Sequence, residues 1–171
     1  MSEQNALAVA VGILGAVSTW LTAVVWDLPV WVLFLAWASF FFVGTGTSGY
    51  LRSVASNLAG IVIATITLLG ADAAGGTPVV VAVAVGLGSF VMVQTPRLAV
   101  LGPAPAIVFG FAMTVGTSAA TGTPITSTGI GNPALVAAVT VLVGAGFGIA
   151  SELLASGLKR PVALRSGAEQ A

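Results

Sequence analysis

The sequence predicts an all-α, polytopic membrane protein of six transmembrane helices in two inverted three-helix repeats. Three observations predict it. Charged residues make up 6% of the 171 positions and hydrophobic ones 57%, whereas a soluble domain carries roughly 25% charged residues. Six apolar runs follow one another, each closed by Gly, Pro or a charged residue. Finally, the third run, Asn57-Leu-Ala-Gly-Ile-Val-Ile-Ala-Thr-Ile-Thr-Leu-Leu-Gly70, returns in similar form as Asn132-Pro-Ala-Leu-Val-Ala-Ala-Val-Thr-Val-Leu-Val-Gly144.

A bilayer core about 30 Å thick needs roughly 20 apolar helical residues, with 17–25 the usual range. Ala6 to Trp26 meets this and ends at Asp27-Leu28-Pro29. Pro29 fits an early helical position, since its missing N–H has no partner there anyway. The second span, Pro29 to Val43, is short but very apolar. Gly44 to Ser53 is a small-residue connector, and the third span runs from Val54 to Ala71. After the Gly-rich turn at 72–78, Pro78 to Gln94 is the fourth span, closed by Thr95-Pro96-Arg97. Leu101 to Ser118 is the fifth, opening on Pro103 and Pro105. An uncharged Thr/Ser/Gly loop, 119–132, leads to the sixth span, Pro133 to Ala155. The units are a tail (1–5), a first repeat (6–77), a second repeat (78–158) and a polar tail (159–171). The start of the chain carries an acid, Glu3, where a secretory signal would be basic, so the first span reads as a retained helix.

Six spans place both termini on one side. Arg52, Arg97, Lys159, Arg160 and Arg165 all fall in segments of that side, while the opposite loops carry only Asp27 and Asp72. Short loops rich in Lys and Arg stay cytoplasmic, so both termini are expected in the cytoplasm and the protein in the cell inner (plasma) membrane. Trp26 and Trp31 flank Asp27 at the outer interface, where indoles favour the headgroup boundary. Trp20 and Trp37 lie deeper and are expected to pack against other helices.

The duplication extends beyond the third span. Ala8-Val-Ala-Val-Gly12 repeats as Ala82-Val-Ala-Val-Gly86, Phe34 falls on Phe109, and Thr45-Gly-Thr47 on Thr121-Gly-Thr123, all at an offset of 74 to 76. A three-span unit returns to the membrane from the opposite side, and inverted repeats of this kind place solute sites near the midplane between halves.

Read this way, Thr65 and Thr140 each lie eight residues inside their helices, roughly 12 Å at 1.5 Å per residue. That is near mid-bilayer, where two hydroxyls, each donor and acceptor, would suit a neutral polar solute shedding water. The structural alternative is that each bonds back to its own helix or joins neighbouring helices. Asn57 and Asn132 begin their helices, as favoured N-caps or as groups lining two entrances. The polar connectors before them re-enter the membrane around a watery cavity or are surface loops. Phe41, within Phe40-Phe41-Phe42, would form an apolar constriction or simply pack. Gly144 and Gly148 form a GxxxG spacing that lets helices approach closely, and Gly12 with Ala16 is a similar small pair. Glu152 is expected to reach the interface near Lys159.

With no Cys and no His, zinc motifs and the commonest general base are missing, so no cofactor, metal or enzymatic activity is expected. No ionisable residue falls near the middle of a span. That disfavours proton relays and voltage sensing, and leaves uncoupled passage of a small neutral solute. Nothing suggests nucleic acid as a partner; the expected ones are the lipid bilayer, the solute and further copies of the chain. The alternatives are a non-transporting subunit of a larger complex and a cation-coupled transporter using carbonyls and hydroxyls.

Phe34-Leu-Ala-Trp-Ala-Ser-Phe-Phe41 and Arg52-Ser-Val-Ala-Ser-Asn-Leu-Ala-Gly60 are the segments through which residues 6–158 resemble a family of small six-span prokaryotic inner-membrane proteins known as a domain of unknown function (1097). The resemblance implies a location more than an activity. Ser56-Asn-Leu-Ala-Gly60 and Gly131-Asn-Pro-Ala-Leu135 are also similar to the Asn-containing helix starts of urea transporters. That family has two inverted repeats, with Thr and amide groups along a narrow pore flanked by Phe. This chain is much shorter and each repeat has fewer spans, so the likeness ranks a urea-like solute first without assigning it.

Overall fold

The computed structural model describes residues 1–95 and 101–159. Among them every regular element is helical: α1 (Glu3–Leu21) with a π-helical turn (Thr22–Trp26), α2 (Val30–Val43), α3 (Gly46–Ala73), α4 (Pro78–Gln94), α5 (Ala104–Thr121) and α6 (Pro133–Leu158). Four are long and apolar enough to cross a membrane: α1 with its π turn, α3, α5 and α6. The other two are apolar but shorter, 14 residues in α2 and 17 in α4. At 1.5 Å per residue α2 reaches about 21 Å, less than a bilayer core. Val32, Leu33, Ala36, Trp37, Ser39 and Phe40 are buried on one face of α2, against other helices, while Trp31, Phe34, Ala38 and Phe42 are exposed along the other.

Helix directions alternate. Glu3 of α1 meets Lys159, just past α6, and Gly46 at the start of α3 meets Glu152 near the end of α6. Gly102, just before α5, packs on Val43 at the end of α2. These contacts define the end of the bundle that holds both chain termini. At the far end, Trp31 of α2 lies against Gly116 of α5.

The centre is shared by α2, α3, α5 and α6, through Val32, Ala36, Val54, Ile61, Met113, Ala137, Val141 and Ala145. Helix α1 flanks α6 through Ala6, Ala10 and Ala155. Helix α4 flanks α3 and α5, with Met92 against Ala64, Ile107 and Phe111. The main contacts match when α1–α3 are exchanged with α4–α6, α3 lying along α5 as α6 lies along α2, although α4 also touches α5 and α1 has no comparable contact with α2.

Both of those crossings depend on glycine. A Cβ on Gly60 would overlap the Ile107 carbonyl, and one on Gly110 would overlap the Asn57 carbonyl. In the other crossing a Cβ on Gly144 would sit 2.5 Å from the Leu33 carbonyl oxygen, and one on Gly148 would strike the Phe40 ring. The GxxxG pair therefore packs as its spacing suggests. Gly12 faces open space.

Several sequence expectations are corrected. The third helix begins at Gly46, so residues 46–53 are its first two turns rather than a connector, and Arg52 is helical and exposed. The cause is tertiary. No side chain of Thr45 caps α3; instead Glu152 of α6 accepts the Gly46 N–H at 2.8 Å. An anion at a helix N-terminus satisfies an orphan donor and complements the helix dipole. The turn before it is tight, with Gly49 against Gly44, where a Cβ would lie 2.5 Å from the Gly44 carbonyl carbon. Glu152 does lie near Lys159, both lining one pocket, and Lys159 pairs with Glu3. Trp37 is buried as expected, but Trp20 is 59% exposed. Of the five basic residues, Arg97, Arg160 and Arg165 lie outside the described residues.

Candidate functional site

In an apolar bundle the informative groups are buried and polar. The densest such cluster joins α2 to α3. Asn57 is fully buried, as are Ser39, Ser53 and Ser56. The Asn57 amide nitrogen donates to Ser39 Oγ at 2.8 Å and to the Ser53 carbonyl at 2.8 Å. Ser53 Oγ donates to Ser39 Oγ at 3.0 Å. Because a backbone carbonyl only accepts, the contact with Ser53 fixes which end of the amide is nitrogen.

The hydrogen-bond inventory is unbalanced. Both Asn57 N–H groups are used, yet its Oδ1 is buried without a partner. The two serines hold two hydroxyl hydrogens, and only one lies between them. The cluster thus has one spare acceptor and one spare donor. Ser39 Oγ touches the nitrogen of the same amide that carries Oδ1, so the spare donor and the spare acceptor belong to one cluster. Leaving a buried carbonyl unpaired costs on the order of 1–3 kcal/mol, which a ligand or water would recover. Trp37 Nε1 and Thr117 Oγ1 are also buried and unpaired. Trp37 lies among aromatics, stacked on Phe34 and tilted against Phe147; neither atom belongs to a polar cluster of this kind.

Asn57 is not where its sequence placed it. It lies in the twelfth position of the 28-residue α3, close to the helix midpoint, instead of at its start. Its backbone is pressed on Gly110 of α5, so α2, α3 and α5 converge there. Asn132 does cap its helix. Its side chain accepts from Ala134 N at 2.9 Å and donates to the carbonyls of Ile125 and Ser127, both at 2.8 Å. These bonds fold the preceding loop onto α6.

No hydrogen bond joins the threonine pair. Thr65 donates to the Ile61 carbonyl at 2.8 Å and Thr140 to the Val136 carbonyl at 2.7 Å, each within its own helix. Thr140 is fully buried and Thr65 half-buried. Because α3 starts early, Thr65 lies eight residues before that helix ends, while Thr140 lies seven after α6 begins. Both therefore sit roughly 12 Å from the far end of the bundle, in the same half of it.

Phe41 is half-buried, edge-on to the buried Phe40. It lines a pocket of about 320 Å³ at the termini end, with Glu3, Leu7, Thr45, Glu152, Ala155 and Lys159. A second hollow, about 570 Å³, lies between α3 and α4 and is apolar apart from Thr67.

Sequence reasoning singled out Asn57 and Phe41 but missed Ser39 and Ser53. Ser39 stood inside Phe34–Phe41, read for its aromatics, and Ser53 was assigned to a connector. Among the described residues no group of His, Cys, Asp and Glu is arranged to hold a metal ion.

Residues 8–156 match the family model described as "Protein of unknown function (DUF1097)". The chain belongs to that family. No curated protein and no solved structure matches it, so the likeness to urea transporters rests on two short motifs, and one of these, Ser56–Gly60, is mid-helix rather than at a helix start. For this DUF1097 member the buried cluster on α2 and α3 is the candidate site.

Proposed function

We propose that this family member is an uncoupled facilitator for a small neutral polar solute, urea-like in size and hydrogen bonding. The observation that carries the reading is the spare donor and spare acceptor beside Asn57. A cation would want several acceptors and a counter-charge, and an anion several donors. One of each matches a neutral molecule such as an amide, whose carbonyl accepts from a serine hydroxyl while its N–H donates to Asn57 Oδ1.

In this reading the six helices all cross the inner membrane, both termini face the cytoplasm, and the chain forms a homo-oligomer. The two halves are inverted repeats with the path between them, and the exchangeable packing of α1–α3 and α4–α6 supports this. So do the matched glycine crossings. Gly60 and Gly144 lie near the middles of α3 and α6, each under a carbonyl of the helix it crosses. Asn57, not the threonine pair, then supplies the midplane contact. The pocket beside Phe41 forms the vestibule at the cytoplasmic mouth.

The neutrality of the solute is tested by comparing urea and acetamide with guanidinium and acetate in proteoliposomes. The proposal requires flux of the neutral pair alone; preferential flux of either ion would defeat it. The second reading, a non-transporting subunit, draws on the apolar hollow between α3 and α4, which would accept a partner's helix. Obligatory co-purification with another membrane protein, without solute flux, would favour it.

A further inference from the structure

On the side of the chain termini, the helix that carries Asn57 is met by a segment that is not a helix. Leu101 to Pro103 is irregular backbone, yet Gly102 is buried. Irregular backbone at such a position requires its own polar partners. Two of them come from α3. Gly102 N donates to Ser56 Oγ at 2.7 Å in a buried bond, and Arg52 Nη2 donates to the Leu101 carbonyl at 3.4 Å. Ser56 in turn donates to the Arg52 carbonyl at 2.7 Å, so its hydroxyl is fully engaged.

The position of this strap is specific. Ser56 precedes Asn57 and is three residues beyond Ser53. The other wall around Gly102 is Val43, one turn beyond Ser39 on α2. The strap thus lies across α2 and α3, against Val43 and Ser56, each within about one helical turn of a member of the polar cluster. It fits there because residue 102 has no side chain: a Cβ would stand 3.0 Å from Ser56 Oγ and 3.2 Å from Val43. The other attachments of the cluster are helix against helix; this one is a short loop held by a single buried hydrogen bond and one exposed bond.

We infer that Leu101–Pro103 is the gate on the termini side of the Asn57 site, latched by Ser56. This inference rests on the facilitator reading. Opening breaks the bond from Gly102 N to Ser56 and lifts the strap from Val43, exposing Ser53, Ser39 and Asn57 to a solute from that side. Closing restores the bond.

The chain has no Cys, which permits a clean test. In a Ser56→Cys, Gly102→Cys double variant the introduced side chains start within the short reach that a disulfide needs. Urea flux into proteoliposomes is measured oxidised and after reduction, with wild type and Ser56→Cys alone as controls. The inference predicts that oxidation lowers flux to that of empty liposomes, that reduction restores it, and that neither control responds. Unchanged flux with the disulfide shown complete by mass spectrometry would overturn the gate and leave the facilitator standing. Absence of flux in wild type would instead remove the facilitator itself. Ser56→Ala reads the latch without a crosslink: losing one buried hydrogen bond shifts the gate toward open and raises resting urea flux about fivefold. An Ala variant at the wild-type rate would also overturn the latch.

Discussion

Replacing Asn57 by Leu separates a functional asparagine from a structural one, because the two roles predict opposite pairs of results. Leu keeps the branching of Asn and removes all of its polarity. The loss is the bond to Ser39 across α2 and α3 and the bond to the Ser53 carbonyl. Interhelical hydrogen bonds in membrane proteins average about 0.6 kcal/mol and a bond to backbone contributes about 1 kcal/mol, so about 1–2 kcal/mol is lost. Against this, the orphan Oδ1 also disappears, returning about 1–3 kcal/mol of desolvation penalty. The net change in stability is therefore within about 1 kcal/mol of zero, while the solute loses its acceptor. Thermal unfolding in detergent, followed by the fluorescence of the four tryptophans, should give a midpoint within a few degrees of wild type. Urea flux in proteoliposomes should fall at least tenfold, the effect of about 1.4 kcal/mol on a barrier. A variant that unfolds far more readily yet conducts at the wild-type rate would refute the reasoning, since Asn57 would then be a packing residue alone.

Three further outcomes follow from the same geometry. Gly60→Val drives a branched side chain into the Ile107 carbonyl; overpacking of this kind costs about 1–3 kcal/mol or more, and should show as a lowered melting midpoint or loss of monodisperse protein in detergent. Thr65→Val with Thr140→Val removes hydroxyls that bond only within their own helices, so urea flux should stay within about twofold of wild type; a tenfold loss would return the threonine pair to the path. Asn132→Ala deletes an N-cap and two bonds to the 125–127 loop, costing about 1–2 kcal/mol, and should lower thermal stability with little change in flux.

How far the sequence could be read depended on whether the cause was local. The fourth helix, Pro78–Gln94, begins and ends where Pro78 and Thr95-Pro96 place it, and the last begins at Asn132-Pro133, where cap and proline agree. The start of α3 is different. Gly44 to Ser53 has the composition of a loop, and only Glu152, 106 residues away, makes Gly46 a helix start. Once those turns are helical, Ser53 comes into register with Asn57 and the polar cluster exists; without them, Asn57 reads as a cap.

The likeness between the third and sixth runs misled in the same region. Its offset of 75 pairs Asn57 with Asn132 and Thr65 with Thr140. In the packed bundle the matched contacts are Gly60 on the Ile107 carbonyl and Gly144 on the Leu33 carbonyl. Ile107 and Leu33 differ by 74 positions, as the duplication requires, but Gly144 and Gly60 differ by 84. The packing therefore does not pair the third and sixth helices at the offset that their sequences suggest. Ala, Val and Gly dominate both stretches, and such sequence carries little information on which residue meets which.

The central claim is that a neutral solute crosses by way of Asn57, and urea permeability tests it most directly. Stopped-flow light scattering on proteoliposomes of increasing protein content, with empty liposomes as the baseline and the Asn57→Leu variant alongside, would be decisive. The account predicts a urea permeability that rises in proportion to wild-type protein and stays at baseline for the variant. A flat response from folded, correctly inserted wild-type protein would contradict it.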